Sequence, residues 1–82
     1  GGGKMELRRE DEKGLMALKI FRHYGVRAGE ELKYGQLVTM CAKWRWRTSD
    51  IADGIDFGVE MGWFERLPNS RIRLSEAGYW AG

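Results

Sequence analysis

Eighty-two residues make one domain, and a chain of this length buries only about 60–65% of the surface it exposes when unfolded, which leaves little material for a deep substrate pocket. A content of 43% apolar and 32% charged residues, with four Trp, three Tyr and three Phe, argues against disorder over the body of the chain. A net charge of +2 is too small for a protein that holds a polyanion by bulk charge alone, and a single cysteine, Cys41, excludes an internal disulfide and a cysteine-based zinc site.

No run approaches the ~18 consecutive apolar residues of a membrane span, and no signal-peptide pattern is present. Cys41 lies in an apolar stretch, where a free thiol behaves as a small hydrophobe. The expectation is a cytoplasmic protein without membrane contact. Gly1, Gly2 and Gly3 have no capping or packing logic, so residues 1–4 read as an expression remnant and residues 5–82 as one domain.

Residues 4–13 carry mixed charge and serve either as a solvated lead-in or as the first turns of a helix, whose dipole favours early acids. From Leu15 the pattern is helical: Met16, Ile20 and Tyr24 recur every four residues, and Ala17, Leu18 and Phe21 widen the same face. Lys19, Arg22 and His23 fall opposite, and Gly25 stops the helix. A turn follows from Val26 to Glu31, with Glu31–Lys33 a possible short strand. The second helix spans about Tyr34 to Trp44, with Tyr34, Leu37, Val38, Cys41 and Trp44 on one face.

Arg45–Arg47 connects to a third helix, which Thr48 or Ser49 is placed to cap and which runs to about Met61. Its expected inner face is Ile51, Ile55 and Val59, and Gly58 would let another helix approach closely. Gly62 ends it. The period then changes to two: Trp63–Leu67 is a strand, Pro68-Asn69-Ser70 a turn, and Arg71–Leu74 a second strand with Ile72 and Leu74 inward. Ser75 caps a final helical turn, Glu76–Trp80, whose Tyr79 and Trp80 either pack on the first helix or are left for a neighbour.

The fold class is therefore α+β, three helices followed by a two-stranded β-hairpin and a short C-terminal helical turn. Met61-Gly62-Trp63-Phe64-Glu65-Arg66, and then Leu74-Ser75-Glu76-Ala77-Gly78, resemble the way chains enter and leave the wing of winged helix-turn-helix regulators. The resemblance covers roughly residues 15–80 and reaches the superfamily. It implies DNA binding, with the third helix in the major groove and the wing on the backbone.

The charges depart from that pattern. The outward face of the third helix is expected to hold Asp50, Asp53, Phe57, Glu60 and Met61, with Asp56 at its edge, and carboxylates facing a polyanion are repelled. The DNA-contacting candidates are instead Arg45, Arg47, Thr48 and Ser49 at the helix connection, where Trp44 and Trp46 interleave, and Arg66, Arg71 and Arg73 on the wing. The bland alternatives are that the tryptophans close the core and the arginines are solvated or protect a strand edge. The rival functional reading is a protein-interaction module that docks a partner on Asp53, Phe57, Glu60 and Met61. A lone His23 and the lack of any ligand cluster point to no enzyme activity, no metal and no cofactor.

Overall fold

The computed structural model describes residues 9–81, so the expression remnant and the start of the charged lead-in lie outside the described residues. Helices α1 (Glu10–His23), α2 (Tyr34–Trp44), α3 (Thr48–Glu60) and α4 (Glu76–Ala81) combine with strands β1 (Glu31–Lys33), β2 (Phe64–Leu67) and β3 (Arg71–Leu74). The class is α+β as expected, but the sheet has three antiparallel strands in the order β1-β3-β2, not two. The short segment Glu31–Lys33 pairs with β3, setting Leu32 opposite Ile72, so both edges of β3 are paired. Among the described residues no helix is long and apolar enough to cross a membrane.

Helix α1 begins at Glu10, four to five residues before its apolar pattern becomes readable, because Glu10, Asp11 and Glu12 suit the positive end of the dipole. The Glu12 carboxylate accepts the Arg9 N–H at 3.4 Å. Lys13 is not solvated: it is buried against α3, where its Nζ donates to Asp53 Oδ2 at 2.8 Å and lies 3.4 Å from Glu10 and 4.0 Å from Asp50. Val26, not Tyr24, closes the core at the end of α1; Tyr24 is exposed. On α2 the buried side chains are Leu37, Met40 and Cys41, while Val38 is exposed.

The inner face of α3 is rotated from the expected one. Ile51 and Ile55 are buried as expected, but Gly54 and Gly58 complete the face, Asp50 is buried, and Val59 lies at the surface. The glycines explain the rotation. A Cβ at Gly54 would stand 2.6 Å from the Lys13 carbonyl carbon, so this glycine allows the backbones of α1 and α3 to touch. Gly58 admits no helix; it is covered by the ring of Phe64, which stacks on Phe21 with centroids 5.0 Å apart. Phe64 thereby takes the space that Val59 was expected to fill.

Neither Thr48 nor Ser49 caps α3. The N-cap is Arg47 in extended conformation, and its side chain makes no cap hydrogen bond. β2 starts at Phe64, one residue after the expected start, because Trp63 bonds through its N–H to the Gly58 carbonyl (2.7 Å) as the helix unwinds. Ser75 does cap α4: its Oγ accepts the Gly78 N–H at 3.0 Å. Between β2 and β3 the turn runs through Asn69 (φ 65°) and Ser70 (φ 55°), both left-handed.

Candidate nucleic-acid interface

The seven DNA-contacting candidates fall into two groups, one at the N-terminal end of α3 and one on the hairpin beside the middle of that helix. Arg66, Arg71 and Arg73 sit on the hairpin, and each already faces a carboxylate of the same chain. Arg66 is hydrogen-bonded to Asp56 of α3. Arg71 donates to Glu31 Oε2 at 2.6 Å and, through Nε, to the Pro68 carbonyl at 2.9 Å. Arg73 lies 3.2 Å from Glu65, its cross-strand neighbour, although its buried Nε makes no hydrogen bond. The strand register causes two of these contacts, since it sets Glu65 opposite Arg73 and brings β1 alongside Arg71. Arg66 and Arg71 line a shallow cavity of about 450 Å³ between α3 and the hairpin, with Tyr34, Asp56 and Ser70 around it.

The other group surrounds the α2–α3 connection. Arg45 caps α2 in the left-handed region (φ 61°, ψ 39°), and its N–H bonds to the Cys41 carbonyl. Lys43, Arg45, Arg47, Thr48 and Ser49 are all exposed. Arg47 Nε lies 3.6 Å from Asp50, while Lys43 and Arg45 form no ion pair among the described residues. Behind them Trp44 and Trp46 are half-buried against the core, their rings 4.9 Å apart, and Trp44 meets His23 edge-on at 5.3 Å. The tryptophans therefore close the core and also brace the turn. Lys43, exposed two residues before Arg45, belongs with these cations by position.

The four partner-docking candidates lie on one stripe of the helix by their spacing, but two of them are half-buried by contacts within the domain. Asp53 is held by Lys13, and Phe57 packs edge-on against Trp63 (centroids 5.6 Å) over Gly14. Glu60 and Met61 are exposed, Met61 at 53%. The solvent side of α3 is Asp56, Val59 and Glu60, continued by Met61, rather than the face centred on Asp53 and Phe57.

Electrostatics follow the same geometry. The hydrogen bond that Lys13 donates to the Asp53 carboxylate raises the Lys13 pKa, and burial raises those of Tyr34 and Cys41, whose charged forms would be desolvated. Cys41 is a buried core thiol. Among the described residues no group of His, Cys, Asp or Glu is placed to hold a metal ion.

No protein-family model, curated protein or solved structure matches this chain. What is defined is an α+β domain of four helices and a three-stranded antiparallel sheet.

Proposed function

We propose that this domain is a winged helix-turn-helix that docks on a nucleic-acid backbone through the connection between α2 and α3. One observation carries the reading: Lys43, Arg45 and Arg47 stand exposed within five residues, beside the uncapped first turn of α3 and the hydroxyls of Thr48 and Ser49. An uncapped helix N-terminus directs N–H groups and a partial positive charge at an anion, and flanking arginines add charge-assisted bonds. Arg45 strengthens the reading, because it holds a left-handed position where glycine is less strained.

The acids of α3 do not oppose this docking. Asp50 and Asp53 have basic partners within the domain. At 1.5 Å per residue, Asp56 lies roughly 10 Å along the axis from Ser49 and Glu60 roughly 16 Å, beyond the ~8 Å screening length of physiological salt. The hairpin arginines, each facing a carboxylate, contribute little on this reading.

The test is fluorescence anisotropy with a generic duplex across a salt series. Three phosphate contacts give a slope of log affinity against log salt of about −2.7. Arg45→Ala with Arg47→Ala removes most of it, while Arg71→Ala with Arg73→Ala leaves it nearly unchanged. Binding that is absent at low salt, or lost only with the hairpin pair, overturns the proposal.

A second reading, a protein-interaction module, is favoured by the exposure of Val59 and Met61 beside Asp56 and Glu60. Its test is Met61→Ala with Val59→Ala, which would abolish partner capture without altering the duplex titration.

A further inference from the structure

A different surface has the opposite charge arrangement from the hairpin. Between the end of α1 and the last residues of α4, Arg22, Gly25, Val26, Arg27, Tyr79 and Trp80 line an open concavity of about 590 Å³. Trp80 is 74% exposed, the highest value among the large apolar side chains of the described residues, and its ring meets Tyr79 edge-on at 5.0 Å. Val26 forms a buried apolar floor. Arg22 and Arg27 form no ion pair among the described residues. The Glu30 carboxylate accepts the backbone N–H of Arg27 at 2.8 Å and not its guanidinium.

We infer that this concavity is a docking site for an acidic segment of a partner protein, one that alternates carboxylates with bulky apolar side chains. Two arginines, a tyrosine and a tryptophan around one depression are the residue types that dominate protein-binding energy at interfaces. Leaving an aromatic of this size in water forfeits the burial that a partner would supply. The unpaired guanidiniums decide the partner's sign. The arginines of the hairpin have carboxylates of their own chain, whereas Arg22 and Arg27 present guanidinium forks with no ion-pair partner among the described residues, which a partner's carboxylates fit bidentately. The apolar floor and the exposed indole favour a peptide over a duplex, whose bases are stacked inside and whose backbone offers only phosphates and sugars to the space between Val26 and Trp80.

The experiment is an amide NMR titration of the whole domain with a short synthetic peptide in which Glu and Asp alternate with Leu and Phe. A peptide with Lys in place of the acids is the control, and a generic duplex is the competitor. Shifts should map to residues 22–27 and 79–81, and the lysine peptide should leave them unmoved. Trp80→Ala and, separately, Arg27→Glu should each weaken binding about tenfold or more. Both positions are exposed, so the amide spectrum of each variant should otherwise match the parent. Equal binding of either variant overturns the proposal, as does equal binding of the lysine peptide. It also fails if the duplex displaces the peptide from the same residues, or if those residues shift when the domain alone is concentrated, which would make the occupant a second copy.

Discussion

Alanine in place of glycine should have opposite effects in two helices of this domain. A Cβ added at Gly54 would fall 2.6 Å from the Lys13 carbonyl carbon and 3.1 Å from the Gly14 nitrogen. These are backbone atoms of a packed helix, so no rotamer change can clear them. The helices must separate by roughly 1 Å to restore ordinary contact, which disturbs Ile51 and Ile55 and stretches the Lys13–Asp53 bond. Overpacking of this kind costs up to about 3 kcal/mol, while the gain in helix propensity returns about 1 kcal/mol. The net loss of about 2 kcal/mol lowers Tm by roughly 8–16 °C for a domain of this size. At Gly35, in the first turn of α2, a Cβ would meet nothing within 4 Å. Gly35→Ala should therefore add about 0.4–1 kcal/mol and raise Tm by a few degrees. Thermal melts followed by far-UV circular dichroism measure both. A Gly54→Ala variant as stable as Gly35→Ala would mean that α1 and α3 do not touch at Lys13, and the placement of α3 argued above would fall with it.

Phe57→Ala should destabilise the fold by about 1–2 kcal/mol, less than a fully buried phenylalanine because Phe57 is half-buried; urea unfolding with an unchanged midpoint would place its ring in solvent. Arg45→Gly should relieve left-handed strain of about 1–2 kcal/mol against an unfolded-state entropy cost of about 0.4–1 kcal/mol, so the variant melts slightly higher while binding duplex more weakly. A variant that melts lower and binds as well as the parent refutes both halves. Stability should also fall on the alkaline side. Cys41, Tyr34 and Lys13 all have pKa values raised above their ordinary 9.0, 10.0 and 10.5, so the unfolded chain loses these protons first. Folding free energy is then level with respect to these groups below about pH 9 and declines above it, and a urea midpoint that does not fall in alkali contradicts the assignment.

The order of elements was legible because each has a strong local signal. The spacing of Met16, Ile20 and Phe21, the stops at Gly25 and Gly62, and the alternation of Ile72 and Leu74 all produced the elements they indicate. The face of α3 was not legible, because periodicity counts side chains, and two of its inner positions, Gly54 and Gly58, have none. With the glycines invisible, the apolar centre shifted toward Val59, and Asp50, Asp53 and Phe57 were turned outward. The third strand was missed as a sheet member for a related reason. Glu31–Lys33 contributes only Leu32 to the core, and its pairing with β3 spans about forty residues, which no local pattern records. The basic residues were visible in the sequence, but their partners were not. Whether an arginine is free or bound to a carboxylate depends on register and packing.

That distinction gives a direct experiment on which cations matter. If the hairpin arginines fail to bind nucleic acid because Asp56, Glu31 and Glu65 neutralise them, removing those charges should recruit them. Asp56→Asn, Glu31→Gln and Glu65→Gln keep the side-chain shapes and delete three negative charges next to Arg66, Arg71 and Arg73. Each pair is partly open to solvent and contributes about 1 kcal/mol to folding, so the triple variant should remain folded. A phosphate approaching the parent hairpin meets neutral pairs; approaching the variant, it meets three cations. Duplex affinity should rise, and the salt slope should steepen from about −2.7 toward about −5.4 as up to three contacts are added. The alternative is that phosphate breaks these weak pairs unaided. In that case the parent would already use the hairpin, Arg71→Ala with Arg73→Ala would flatten the parent's slope, and the triple variant would gain little. An unchanged slope in the triple variant therefore rejects neutralisation as the reason the hairpin is silent.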